Sequence, residues 1–567
     1  MCALFLGLDL STQALKASLL DEHLCGIDEV QVRFDDDLPR FETQGGILPR
    51  GHALLDEPDA ACSPAVMYLA ALDKLWDRIS YERNWPIDRI AAISAAGQQH
   101  ASVYLATGAL DALRSVRSAK TLEEQLDTSL FSRQIVPNWQ DATTPAECAE
   151  LMHSADECGA PLCATTGSIA HTRFTAAQIL RWRRHHPEQY AQTESIQLVS
   201  NFVATMLTAG AEACAAPLDQ SDACGMNLWD IKASQWSAPL LALVDGSDGA
   251  ALAKKLGDVA RDPRQVVARI GTWWQQRYGL RPECLVCQAT GDNPATLQCL
   301  APALGEAVLS LGTSDTVLLP STMYVPDPQY HTFQHPVSSH GTADETPPYF
   351  LMLVYKNGSL AREWVRDTYC DAQWAKFDEA VQQWPTPTQG TAFYWLQPEI
   401  LPWDARGVHR FDAAGEPVAE FAERTYNAPA MVQSQCLAFR TRIERVLASS
   451  KTRLSRVYVV GGAAENHTLC QLLANVLGCE VARPVVQGRS AESGSAVPYN
   501  FCSVGAAFRA RWVWECATSE QVSWEACIRH ARGARAAYQV VAVPQEAQAA
   551  AFSAFCDAWA ALERRVA

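Results

Sequence analysis

Gly7-Leu8-Asp9-Leu10-Ser11-Thr12-Gln13 joins two apolar runs, one beginning at Ala3 and one covering Ala14 to Leu20. The runs read as a buried strand and a second strand, closed by a turn at Asp21-Glu22, so the stretch is a hairpin whose turn carries an Asp, a Ser and a Thr. Hydroxyls and N–H groups on such a turn can hold phosphate oxygens. The aspartate can hold a magnesium ion through water, because magnesium keeps several of its waters. An ordinary polar hairpin is the alternative. No GxxxxGK[ST] pattern is present, so this is not a P-loop. Lys16 lies just beyond, within reach of a phosphate. The same order, strand then Gly with Ser/Thr then strand, returns at Glu306 to Leu319 around Gly312-Thr313-Ser314-Asp315. An internal repeat of this kind predicts two α/β domains of the same make, each offering a hairpin to a central cleft. The division expected is 1–301 and 302–567. Gly312 stands where the first copy has Asp9, so only the first copy offers a carboxylate to a metal.

A chain of 567 residues is too long for one core, which agrees with two domains. With 48% hydrophobic and 19% charged residues it is globular. A net charge of −17 argues against a nucleic-acid partner. It also means that a phosphate-bearing ligand needs local help from backbone N–H groups, helix N-termini and a divalent cation. The 19 cysteines are scattered and odd in number, the first ten residues lack a signal-peptide pattern, and no apolar run is long enough to span a bilayer. A reduced, cytoplasmic protein without a membrane partner is expected. Cys284-Leu285-Val286-Cys287 is a lone CxxC that reads as buried strand.

That strand leads into Ala289-Thr290-Gly291-Asp292-Asn293-Pro294-Ala295, with a helix-like run after it. Gly291 permits a sharp turn, and Pro294 suits a first helical turn. Asp292 is placed to take a proton from a bound sugar hydroxyl; the alternative is that Asp292 or Asn293 only caps the helix. An ordinary carboxylate pKa would serve, since the proton can leave late in phosphoryl transfer. Ile90 to Ala96 reads as a strand delivering Gly97-Gln98-Gln99-His100 to the ligand end of a sheet. Ser63-Pro64 reads as an N-cap with a first-turn proline. Trp139 and Asp141 could face a sugar, and Arg173, ahead of a helix at Thr175 to His185, could fix a sugar hydroxyl or a phosphate. Trp374 to Trp384 reads as a helix. Arg456 to Val460 is a strand ending in Gly461-Gly462-Ala463, which allows close approach of a flat ligand. Residues 486 to 499 read as an exposed insertion, and the tail as mostly helical.

With these pieces placed, the sequence resembles the FGGY carbohydrate kinase family, and within it the eukaryotic type of xylulokinase, over roughly Leu4 to Ala510. The carrying motifs are Gly7 to Gln13, Thr43 to Gly46, Ala96 to His100, Arg173-Phe174, Ser221-Asp222, Gly225 to Asn227, Thr290 to Pro294, Ser310 to Thr316, Lys356 to Leu360 and Gly461 to Ala463. The resemblance implies two ribonuclease-H-like (actin-type ATPase) domains that close on the sugar. It also implies ATP-dependent phosphorylation of D-xylulose at its 5-hydroxyl, with magnesium. Asp292 then corresponds to the catalytic base, and His100, Arg173, Asp292 and Asn293 to sugar contacts. Asp9 and Thr12 correspond to the first phosphate hairpin, with Asp9 on the metal side. Gly312 and Thr313 correspond to the second, and Trp374, Gly462, Ala463 and Asn466 to nucleotide contacts. A monomer or homodimer is expected. Ala101 departs from the family's Gln-Gln-His-Gly. A kinase of another ketose or polyol, a non-catalytic sugar-binding relative, and an actin-like chaperone or filament protein are the other readings.

Overall fold

The structure is a computed structural model that describes residues 2–338, 346–485, 500–519, 521–533 and 537–567. The chain forms two compact units. The first holds residues 2–301 and the helix Phe501–Thr518, together with the short segment from Phe333; the second holds 302–332, 347–485 and 537–567. The later part of the chain is therefore shared between the units instead of forming one body from residue 302 onward. The expected insertion at 486–499 lies outside the described residues.

In the first unit Leu4–Leu10 (β1) is buried at every position, as a central strand covered on both faces must be. Period-two alternation divides its side chains. Leu4, Leu6, Leu8 and Leu10 pack into a core shared with the helices Ala65–Asp77 and Val199–Leu207. Phe5 faces the other way, into a cluster with Val504, Ala507 and Phe508 of the helix Phe501–Thr518. Gly7 lies on that second face, and a Cβ there would meet the Ser503 carbonyl oxygen at 1.7 Å. β1 pairs antiparallel with Ala14–Leu20 (β2), which pairs antiparallel with Gly26–Arg33 (β3). On its other side β1 runs parallel to Ile90–Gly97 (β4). Val266–Arg269 (β5) is an antiparallel edge on Leu285–Cys287 (β6), which lies parallel to β4, and Thr290–Gly291 (β7) continues alongside the end of β4. The order is β5-β6-β4-β1-β2-β3.

The second unit repeats it. Glu306–Leu311 (β8) pairs antiparallel with Asp315–Ser321 (β9), which pairs with Tyr349–Tyr355 (β10). β8 runs parallel to Arg456–Val460 (β11), then come Glu480–Pro484 (β12), parallel, and the antiparallel edge Tyr538–Ala542 (β13). The core here is shared with the helices Asn427–Ser449, His467–Leu477 and Glu546–Val566. The repeat read from the two hairpins is thus a repeat of whole sheets.

One local expectation fails. Ser63 and Pro64 do not open a helix: they lie in the strand Cys62–Pro64, where Ser63 pairs with Val136, and the helix starts at Ala65 without a side-chain cap. The Ser63 hydroxyl donates instead to the Gly46 carbonyl at 2.8 Å. Strand pairing supplied that hydroxyl with a better partner than the helix end did.

Candidate active site

Strand register gathers the first set of candidate residues. Asp9 pairs with Ala96 and Leu10 with Gly97 across β1 and β4, while Gly291 pairs with Gly97 across β7 and β4. Three neighbouring parallel strands therefore end at one level, and the residues that follow them, Ser11-Thr12, Gln98 to His100 and Asp292-Asn293, share one edge of the sheet. This is the ligand end of an open α/β sheet.

Asp292 is the first residue of the helix Asp292–Leu300, whose N-cap is Gly291 and carries no side-chain cap. Asp292 therefore does not cap the helix. Its Oδ1 accepts from the Asn293 backbone at 2.8 Å and from Asn293 Nδ2 at 3.1 Å, and the same amide donates to Gln99 Oε1 at 2.9 Å. Burial, with the charge of Asp9 next, pushes its pKa up to about 7 against the lowering effect of these N–H donors. An ordinary carboxylate would have served; this one is raised toward neutrality, where a general base works best.

Behind this loop lies Asp222, 1% exposed, which sequence reading placed only within a motif. Ser200 donates to its Oδ2 at 2.5 Å, its Oδ1 is buried without a partner, and a Cβ on Gly291 would come within 2.8 Å of that oxygen. Burial, then the charges of Asp219 and Asp292, raise its pKa to about 8. In the unfolded chain it ionises near pH ~4. Between those values the folded state keeps a proton that the unfolded state has lost, so this group makes stability fall as pH rises through the window. Asp222→Asn removes the slope. In thermal melts the variant is expected to gain on the parent steadily from pH 5 to pH 8; a gap that does not change with pH would show that Asp222 is already ionised in the folded chain.

His100 sits at φ +71, in the left-handed region where non-glycine residues mark constrained sites. Its Nδ1 lies 2.9 Å from the Gly225 carbonyl, and because a carbonyl only accepts, Nδ1 carries a proton. The ring packs at a tilt against Phe174, 4.2 Å between centroids. Arg173 lies over the same Phe174 ring at 5.3 Å. Burial draws its pKa down to about 10 with only the Cys148 thiol opposing, so no carboxylate among the described residues balances this guanidinium. A cation held so is ready for a polar or anionic ligand.

Asp9 is fully buried. Its Oδ2 lies 3.5 Å from Lys16 Nζ and accepts from the Ser11 hydroxyl, so Lys16 turns inward onto the aspartate. Its Oδ1 is buried with no partner. Thr12 donates to Gln98 Oε1 and receives the Trp139 indole N–H, both at 3.0 Å. Trp139 thus stands at this turn, 46% exposed. Asp141 does not face a ligand: its carboxylate is occupied by Ala61 N, Thr143 and Gln178, and it is 2% exposed. Among the described residues no group of three or more His, Cys, Asp or Glu could hold a metal ion. A cation at Asp9 would thus keep mostly water and ligand oxygens, which suits magnesium, and the orphaned Oδ1 is an atom that such a cation would satisfy.

The second unit holds a cavity of about 570 Å³ lined by Gly312, Thr313, Trp374, Gly462, Ala463 and Asn466, together with Arg362, Asp378 and Phe377. All six of its expected nucleotide residues meet there. The parallel register of β8 and β11, Ser310 against Val460, brings their two turns side by side. Gly461 has φ +90, and a Cβ on it would lie 2.5 Å from the Leu311 carbonyl oxygen, whereas nothing lies within 4 Å of a Cβ on Gly462. Trp374 is 41% exposed, with the Arg366 guanidinium 4.6 Å from its ring centre. The Asn466 side chain is already engaged: Oδ1 caps the helix His467–Leu477 at Leu469 N and Nδ2 donates to Asp378 at 2.8 Å. It shapes the wall more than it offers a free hydrogen bond. Arg362, absent from the sequence-based set, forms a buried bidentate pair with Asp315 at 2.7 and 2.9 Å behind the Gly312 turn.

Residues 118–299 match the N-terminal domain and residues 307–497 the C-terminal domain of the FGGY family of carbohydrate kinases. Xylulose kinase of Schizosaccharomyces pombe is 40% identical over 529 residues, covering 90% of this chain and 89% of that protein. Probable D-xylulose kinase A of Neosartorya fischeri is 37% identical over 541 residues, with coverage of 90% and 89%. Among solved structures, a xyloylose kinase from Brucella ovis superposes with TM-score 0.74 at 20% identity, covering 99% of this chain and 98% of that one. The ligand-bound xylulose kinase from Lactobacillus acidophilus does so with TM-score 0.72 at 18% identity, with coverage of 99% and 98%. At such identities the structures speak for the fold. No helix among the described residues is long and apolar enough to cross a membrane.

Proposed function

We propose that this chain, which belongs to the FGGY family of carbohydrate kinases, transfers the γ-phosphoryl group of ATP to the 5-hydroxyl of D-xylulose. The observation that carries the reading is Asp292: a carboxylate pushed up to about 7 by burial at the strand-end edge, tied through Asn293 to Gln99, the neighbour of His100, whose ring packs on Phe174 beside Arg173. The substrate rests on the relatives' names, which agree at 35–40% identity across nine-tenths of the chain.

In this reading Asp292 accepts the hydroxyl proton as the sugar oxygen bonds to phosphorus and the bond to the β-phosphate oxygen breaks. Sugar phosphate and ADP leave, and the proton passes to solvent. His100, Arg173 and Asn293 orient the sugar. Gly312, Thr313 and Gly462 admit the nucleotide backbone, and Trp374 offers a ring face to its base. Asp9 and Thr12 serve the phosphate side. Magnesium, when bound, neutralises phosphate charge, and Asp9 is the residue that would hold it. Phosphoryl transfer asks mainly for such positioning and neutralisation, which answers the problem set by a net charge of −17.

The test is an ADP-release assay with magnesium-ATP and a panel of D-xylulose, L-xylulose, D-ribulose, L-ribulose, glycerol and xylitol. Turnover highest on D-xylulose is expected. Preference for another polyol would keep Asp292 and overturn the substrate, and no sugar-stimulated release would leave a sugar-binding protein.

A further inference from the structure

The N-cap of the helix Phe501–Thr518 is Asn500, which contacts a residue 491 positions earlier in the chain. Asn500 Oδ1 accepts from Ser503 N at 2.7 Å, capping the helix, while its Nδ2 donates to Asp9 Oδ2 at 3.0 Å. Only one orientation of the amide satisfies both, since Ser503 N–H donates and a carboxylate accepts. The Asn500 backbone N–H is 3.4 Å from Glu29 Oε1, which also accepts from Ser18 at 3.1 Å. The cap is thereby tied to β2 and β3 as well as to Asp9.

The donors around Asp9 are unevenly shared. Asn500, Ser11 and Lys16 all address Oδ2, and Oδ1 receives none although it is buried. A buried acceptor without a donor is costly, so the arrangement makes sense where something else satisfies Oδ1. We propose that Asn500 is a positioning residue for Asp9: it fixes the carboxylate through Oδ2 so that Oδ1 is held for the divalent cation of the phosphate site. This rests on the reading of Asp9 given above and adds to it the residue that orients the ligand. Partners of this kind, one bond removed from a metal, typically change metal affinity 10–100-fold when lost.

Asn500→Ser separates capping from positioning. A serine still caps, but its Oγ stands one bond short of the Nδ2 position from which Asn500 reaches Asp9. The probe is Mn²⁺, titrated into the full chain with ADP present and followed by electron paramagnetic resonance, with Asp9→Asn measured alongside. The expected result is a loss of Mn²⁺ affinity of about tenfold for Asn500→Ser, with its melting temperature near the parent's. Undiminished affinity in Asn500→Ser while Asp9→Asn weakens binding would overturn the role of Asn500 alone. Undiminished affinity in both would overturn the reading of Asp9 as well. If Asn500→Ser does not fold, Asn500→Gly gives the same readout, since glycine at an N-cap costs only a few tenths of a kcal/mol.

Discussion

Asp292→Ala is expected to lower kcat by about 10²–10⁴-fold, the usual worth of general-base help, or roughly 3–5 kcal/mol of activation free energy. ADP affinity is expected to stay near the parent's, because the cavity lined by Gly312, Trp374 and Gly462 lies wholly in the second unit. A structural role would behave differently. Asp292 is not the N-cap of its helix, so the stability lost with it should come from its two contacts with Asn293 and not from a helix cap. The pH profile adds a second arm. The base must be ionised, so kcat/KM, which reports the free enzyme, should rise with pH through about 7, where burial and the Asp9 charge place this carboxyl. An acid limb near pH ~4, the ordinary range, would show that the site does not raise it. A variant keeping more than about a tenth of parental kcat would fall below the range for such a base and remove Asp292 from the chemistry.

The parts legible in the sequence are those where chemistry and local pattern coincide. A Gly with Ser and Thr between two apolar runs also suits an ordinary polar hairpin; it became readable because it recurred, which exposed the doubled fold. The turns at Gly312 and Gly462 were readable alongside it, and parallel pairing then brought them together. What local pattern could not supply is partner identity across long separations. Asn500 meets Asp9 from 491 residues away, and its only local signal is that of any asparagine before an apolar helix. Asp222 sits in a recognisable motif, yet its raised pKa comes from burial and from the charges of Asp219 and Asp292, against the Ser200 hydrogen bond, none of which spacing reveals. Asp141 and Ser63 misled for the converse reason. Both have the residue type for an exposed task, and both were claimed by buried backbone groups, Ala61 N–H and the Gly46 carbonyl.

Gly7 was read as part of a phosphate turn, and the structure gives it a different duty whose loss should cost substantial stability in the first unit. A methyl at this position would lie 1.7 Å from the Ser503 carbonyl oxygen and 2.6 Å from Ala507 N. Both are backbone atoms, so no rotamer change relieves them. Nor can the helix retreat, since Gly505 brings it so close to the helix Asp292–Leu300 that a methyl there would lie 1.9 Å from the Ala295 carbonyl oxygen. Arg509 fixes it further through a fully buried pair with Asp219 at 2.8 Å, and Asp219 in turn accepts from Thr290 ahead of Asp292. Overpacking a core commonly costs about 1–3 kcal/mol, occasionally more, and two backbones meeting on a braced helix belong at the upper end. Gly7→Ala is therefore expected to lower the apparent Tm by about 4 °C or more for a unit of this size, with weakened Mn²⁺ binding because Asn500 moves with the helix. Gly462→Ala is the matched control: its Cβ enters open space, and a change within about 0.5 kcal/mol is expected. Equal melting of Gly7→Ala and Gly462→Ala would mean that the helix Phe501–Thr518 is not held against β1 as described. The connection of the phosphate turn to the helix cap would then fail with it.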